Sequence, residues 1–341
     1  MRLISNPHRG VGLAHPSLDE VPFPSVDAAK PMALLEECPV AMETTLLSVP
    51  ALAEACGIKQ FTVKDERNRM GLGSFKALGA AYVIASRTRA EPDRQQHYVT
   101  ASAGNHGLSV AAGAMAFRQQ ATIVISDQVP DAFAKRIGAL GATVVRAGAD
   151  YEASMNAAAQ IAQDQEAVLL SDSSWDGYLD LPHDVMEGYL VLMEETCTEM
   201  AAPPSHIFLQ AGVGGLAGAA AALAREHWGE IPQIIVVEPE AAPALIQSIE
   251  AGHAVETTGP ESAMGRLDCK TPSLIALKGL ARDADRFLTL TEAEGQAGAD
   301  LAARFGLTST PSSAAGLAGA LVMDLPADAH VLVILSEGPE A

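Results

Sequence analysis

Lys64-Asp65-Glu66-Arg67-Asn68-Arg69-Met70-Gly71-Leu72-Gly73-Ser74-Phe75-Lys76-Ala77-Leu78-Gly79 is the stretch on which the reading of this chain turns. The run before it, Phe61-Thr62-Val63-Lys64, predicts a strand. A glycine-bearing loop follows, and residues 74 to about 89 read as a helix with Ser74 as its N-cap. Lys76 therefore falls in the first turn. A helix N-terminus carries partial positive charge and disfavours another cation. The expectation is a lowered amine pKa, which suits a nucleophile that forms imines. A surface lysine with a snorkelling stem satisfies the same stretch taken alone.

Two more strand-to-helix junctions lie downstream. Thr100-Ala101-Ser102-Ala103-Gly104-Asn105-His106-Gly107 follows the short strand 97–100 and opens a small-residue helix over 106–117. Ser102 and the backbone N–H groups of such a turn suit a carboxylate, and Asn105 suits a ring oxygen. A plain turn capped by Asn105, with His106 as a structural histidine, remains the alternative. Gln210-Ala211-Gly212-Val213-Gly214-Gly215-Leu216-Ala217-Gly218 joins the strand 206–210 to a helix over 215–228. Its glycines let backbone approach an anion, and the helix N-terminus supplies the field, so a phosphate site is the direct reading. The loop also matches a dinucleotide fingerprint, with Glu238 ending the next strand where a ribose-binding acid belongs. A nicotinamide-dependent oxidoreductase is therefore a minor alternative.

Working outward, strands at 121–125, 143–146, 168–170, 233–237 and 330–335 alternate with helices at 130–140, 151–164 and 184–201. Continuous apolar strands bounded by helices signal parallel sheets covered on both faces. The expected fold is α/β, with two doubly wound, mostly parallel-sheet lobes. Residues 1–40, with prolines at 7, 16, 22, 24, 31 and 39, read as an irregular arm around that body.

Composition narrows the function. Of 341 residues, 48% are apolar, enough for a large core, and the net charge of −20 repels phosphate backbones and anionic lipid. Nucleic-acid and membrane partners are not expected. Cys38, Cys56, Cys197 and Cys269 form no CxxC pair or zinc spacing, so free thiols and no metal are expected. The N-terminal residues lack an apolar leader, which points to the cytoplasm.

Taken together, the lysine in Ser-Phe-Lys, Ser-Ala-Gly-Asn-His, the glycine loop and a final strand ending at Ser336 resemble the fold type II pyridoxal-phosphate (PLP) enzymes, from about residue 40 onward. This is the group of tryptophan synthase β and the serine/threonine dehydratases. Within it the chain is most similar to diaminopropionate ammonia-lyases. Asp172-Ser173-Ser174-Trp175-Asp176-Gly177-Tyr178 is similar to their Asp-Thr-Ala-Trp-Glu-Gly-Tyr. Ala263-Met264-Gly265-Arg266-Leu267-Asp268-Cys269 is similar to their Ile-Met-Ala-Gly-Leu-Ala-Cys.

The resemblance implies a cofactor, pyridoxal 5'-phosphate, between a large domain of residues 1–81 plus 181–341 and a small one of 82–180. It implies that Lys76 holds PLP as a Schiff base and, freed, is the base at Cα. Asp172 would engage the β-leaving group. Gly212, Val213, Gly214, Gly215 and Leu216 would bind phosphate, and Ser336 the pyridine nitrogen. Asn105 would serve ring oxygen and substrate, and Ser102, Ala103, Gly104 and His106 would complete the substrate site. The implied activity is α,β-elimination on a small amino acid, first L-2,3-diaminopropionate, giving a 2-oxo acid and ammonia, in a homodimer. Three departures bear on the substrate. Ala103 replaces the aspartate of the ammonia-lyase turn, which favours an L-serine/threonine or 3-hydroxyaspartate dehydratase as the alternative. Thr310-Pro311-Ser312-Ser313-Ala314 lacks the glutamate of Glu-x-Ser-Gly-Ala. Asp268 stands where the family has a small residue, and would favour a cationic substrate if it faced the pocket.

Overall fold

The computed structural model describes residues 1–339. Its strands are β1 (Arg2–Ser5), β2 (Leu46–Ser48), β3 (Gln60–Asp65), β4 (His97–Ala101), β5 (Gln120–Ile125), β6 (Thr143–Arg146), β7 (Val168–Leu169), β8 (His206–Gln210), β9 (Gln233–Pro239), β10 (Arg286–Leu290) and β11 (His330–Leu335). Seven form one sheet in the order β1-β10-β9-β8-β11-β3-β2, and four form a second in the order β6-β5-β4-β7. The second sheet is wholly parallel, whereas the first carries an antiparallel strand at each edge. This is the expected α/β architecture.

The large sheet is covered on both faces, as its near-continuous apolar strands require. Alternate residues go to opposite sides. Ile207, Leu209, Leu332 and Ile334 join one core, which also takes in Tyr98 and Ile123 of the second sheet. Phe208, Val331, Val333 and Leu335 join the core on the other face. One apolar body thus runs from sheet to sheet and fixes the cleft between them.

Two expectations change. The N-terminal arm is not wholly irregular: β1 pairs with β10 from Arg2↔Thr289 to Ser5↔Arg286, and a helix covers Ala29–Glu36. An edge strand needs only one partner and one half-buried face, so its short sequence carries little period-2 signal. The helix with the lysine runs Lys76–Ala90 rather than from Ser74. Ser74 acts just outside it, its hydroxyl accepting the Lys76 N–H at 3.3 Å.

That helix is pinned by backbone contact. A Cβ on Gly79 would lie 2.6 Å from Tyr189 and 2.8 Å from Val185, both on the helix Asp180–Glu199. Only glycine permits that approach. Tyr189 is thereby pressed beside the lysine.

Candidate active site

β3, β8 and β11 run parallel, and their carboxyl ends release three of the segments singled out above. β4 of the other sheet releases the fourth. In α/β sheets the crevice beyond such strand ends is the usual ligand site. The loop from β3 is anchored beside β11, since the Phe75 N–H donates to the Ser336 carbonyl at 3.1 Å.

Lys76 Nζ donates to the Asp172 carboxylate, closing an ion pair between residues 96 apart in sequence. The side chains are 22% and 17% exposed, so the pair is sheltered yet reachable. Nζ also lies 5.1 Å from the Phe75 ring centre and 5.6 Å from that of Tyr189. Burial pulls the amine pKa down, but the charge of Asp172 and its hydrogen bond outweigh it, and the net direction is up. The expected lowering by the helix N-terminus is thus overturned by a carboxylate in contact. For Asp172, burial pushes up, and Lys76, helped by His106, pulls the acid well below the ordinary carboxylate range.

Asp172 is held by a compact local structure. Trp175 and Tyr178 stack at 4.3 Å, Gly177 takes a φ of +77°, and the Tyr178 hydroxyl donates to the Leu169 carbonyl at 2.7 Å. Ser174 Oγ accepts the Ile275 N–H at 3.0 Å, tying this loop to the large sheet's helices.

The Ser102–His106 turn is organised from within. Ser102 Oγ accepts the Gly104 N–H at 3.2 Å, and Gly104 is an N-cap without a side-chain bond for the helix Asn105–Ala116. His106 is buried, its Nε2 2.8 Å from the Leu170 carbonyl, so that nitrogen carries the proton. Burial lowers its pKa. Asn105 Nδ2 donates to Glu337.

The glycine loop has the strain a tight anion cradle needs. Gly214 has φ +97° and caps the helix Gly215–Trp228, and Val213 and Leu216 flank that turn. A Cβ on Gly212 would meet Cys269 Sγ at 2.9 Å. Burial pushes the Cys269 thiol up to about 12, so it is no nucleophile. The Tyr189 hydroxyl is buried with no hydrogen-bond partner among the described residues. An amine, an uncapped helix N-terminus behind glycines, and an orphaned hydroxyl fit a small, phosphorylated, aldehyde-bearing ring.

Glu337 was not picked out from sequence. It is buried, accepts from Thr310 Oγ1 at 2.5 Å and from Asn105, and its N–H donates to Ser313 Oγ at 3.0 Å. A carboxylate thus stands beside the 310–314 segment that lacks its glutamate. The available signal was its place, next to Ser336 at a strand's carboxyl end. Asp268 meets Lys270 Nζ at 2.6 Å and the Ser262 N–H at 3.3 Å, so it fastens its own loop. Glu238 is fully buried and accepts the Leu245 and Ile246 N–H groups at 2.7 and 2.8 Å. It caps a helix and is not placed to grip a ribose, which removes the nicotinamide alternative. No helix among the described residues is long and apolar enough to cross a membrane.

The fold brings the lysine pair and the glycine loop together, since a Cβ on Gly215 would lie 3.7 Å from the Tyr189 ring and 3.8 Å from the Asp172 carbonyl oxygen. Residues 39–337 match the family described as pyridoxal-phosphate dependent enzymes, and the chain belongs to it. It is a PLP-dependent enzyme of the ammonia-lyase and dehydratase group. Diaminopropionate ammonia-lyase of Salmonella typhimurium is 30% identical over 355 aligned positions, spanning 90% of this chain and 88% of that protein. The human serine dehydratase-like protein is 28% identical, over 70% of this chain and 69% of its own. A crystal structure of diaminopropionate ammonia lyase from Escherichia coli superposes with a TM-score of 0.88 at 26% identity, covering 99% and 93% of the two chains.

Proposed function

We propose that the chain eliminates the β-amino group of L-2,3-diaminopropionate, yielding a 2-oxo acid and ammonia. The observation that carries the reading is the Lys76–Asp172 pair, an amine and a carboxylate in contact and both partly open to solvent. The likeness to diaminopropionate ammonia-lyases over most of both chains supports the substrate.

In this reading Lys76 carries PLP, Gly212 to Leu216 hold its phosphate, Asn105 its ring oxygen and Ser336 its pyridine nitrogen. When bound, the cofactor supplies an electron sink at Cα. Ser102, Gly104 and the N–H groups at Asn105 and His106 hold the substrate carboxylate, with Ala103 in the same turn. Lys76 Nζ takes the Cα proton. The proton that Lys76 Nζ takes from Cα can then pass by way of the Asp172 carboxylate it contacts to the leaving nitrogen, so the pair needs no outside acid. The proposal includes the division into residues 1–81 plus 181–341 and 82–180, and a cytoplasmic homodimer, both carried by the family resemblance.

A second reading, dehydration of a β-hydroxy amino acid, is favoured by Ala103, which leaves the turn without an acid, and by the dehydratase relatives. Assaying 2-oxo acid release by the PLP-loaded protein separates the two. The first reading expects diaminopropionate to exceed serine, threonine and 3-hydroxyaspartate in kcat/KM. The reverse order refutes it.

A further inference from the structure

Arg266 touches two of the segments described above. Its backbone lies beside the glycine loop: a Cβ on Gly212 would lie 3.1 Å from its carbonyl oxygen, and its N–H donates to Ser312 Oγ at 3.1 Å. Its side chain reaches the other segment. A Cβ on Gly104 would lie 3.0 Å from Nη1 and 3.3 Å from Cζ, so the guanidinium rests on the Ser102–His106 turn. The side chain is 36% exposed and lines a cleft of about 310 Å³ with Ser309, Thr310, Ser312 and Glu337.

A second observation shows what this corner accepts. Glu337 Oε2 takes the Asn105 amide hydrogen and lies 3.6 Å from Arg266 Nε. A carboxylate therefore already sits between the turn's asparagine and the guanidinium. The helix Asn105–Ala116 begins there without a side-chain cap, so its N-terminal field has the same sign as the arginine. The guanidinium and the start of this helix thus meet at Gly104.

We propose that Arg266 is a substrate-binding residue that clamps the α-carboxylate of the amino acid against the Ser102–Gly104 turn. Glu337 balances its charge when the cleft holds no amino acid. This rests on the elimination reading and names the residue that makes the site select amino acids over plain amines. Arginine is suited to the task, since its donors form a planar fork that matches a carboxylate.

The test is a titration of the PLP-loaded protein with L-alanine, L-alaninamide and L-aspartate, followed by the change in the cofactor's visible absorption. Alanine has no β-leaving group, so binding is read without turnover. Arg266→Met is expected to weaken L-alanine roughly tenfold to a hundredfold, the loss for one charge-assisted hydrogen-bonded contact. L-alaninamide, which lacks the carboxylate, is expected to change by less than about threefold, since it never made that contact. Arg266→Lys should recover part of the loss, and thermal melting checks that both variants fold. Equal weakening of alanine and alaninamide, or none of either, overturns the proposal. A loss confined to L-aspartate also overturns it, in favour of a seat for a side-chain acid. Wild-type protein that binds PLP yet responds to no amino acid defeats the elimination reading and this proposal together, a result distinct from the others.

Discussion

Two lysines of this chain, twelve positions apart, each touch one carboxylate, and they are built for opposite ends. Lys64 is fully buried and donates to Glu195 at 2.6 Å and to the Thr44 carbonyl at 2.8 Å. Arg69, also fully buried, spans Glu66 and Glu195 and donates to the Met42 carbonyl at 3.0 Å. Burial works against both charges, but these partners outweigh it and leave Glu195 shifted down and Arg69 shifted up. Lys76 has Asp172, two aromatic rings and an open side. Beside it stands the unpartnered Tyr189 hydroxyl. A charge network that satisfies itself is architecture; in the proposed reading, an ion pair with an open side beside an orphaned hydroxyl is the site.

The sharpest way to break this comparison is to remove each lysine site in turn. Lys76→Ala is expected to lower elimination about 10⁴-fold, at the upper end of what a positioned proton-transfer group contributes. Its unfolding midpoint in urea, measured without cofactor, should fall far less than that of a fully buried pair, since the pair it breaks keeps an open side. Arg69→Met should do the opposite, costing about 3–5 kcal/mol of stability because buried Glu66 loses its cation and Glu195 keeps only Lys64. Activity per folded molecule should survive far better than in Lys76→Ala. Urea unfolding and kcat on the same preparations check both, and exchanged outcomes would erase the distinction.

Asp172→Asn sharpens the active-site half. It is expected to lower kcat on diaminopropionate about 10²-fold through loss of an acid at the leaving group. If KM rose and kcat held, Asp172 would bind substrate without moving a proton.

How much of this was legible from sequence depended on distance along the chain. The three strand-to-helix junctions were readable because each packs its signal into a dozen residues: β3, β4 and β8 and the helix Gly215–Trp228 lie where the patterns put them. The Lys76–Asp172 pair spans 96 positions and the Asn105–Glu337 contact 232, and no local pattern carries either. That is also why the lysine's shift was misjudged. The helix N-terminus is visible in sequence, whereas the carboxylate that overrides it arrives through the tertiary fold. Glu238 misled for a related reason. Its spacing after the glycine loop suits a ribose, yet burial against Leu245 and Ile246 makes it a helix cap.

Glu238 offers the smallest test and contrasts with both lysine sites, because no cation among the described residues pairs with it. Burial raises its pKa from 4.5 to about 8, against the pull of two N–H donors. The folded state then binds more protons than the unfolded one between those values. The contribution to stability is therefore fully present below the unfolded-state value, and is lost as pH rises through the folded one. Glu238→Gln should flatten the fall in unfolding free energy between about pH 5 and 8. An unchanged slope would mean that the carboxyl reaches solvent or a cation.

The central claim is that one particular amine carries the cofactor, and it can be read covalently. Borohydride reduction of the PLP-loaded protein, followed by peptide mapping, should place the phosphopyridoxyl group on the peptide containing Lys76 and on no other. A label on a different lysine, or none on a protein that has kept its cofactor, would contradict the account.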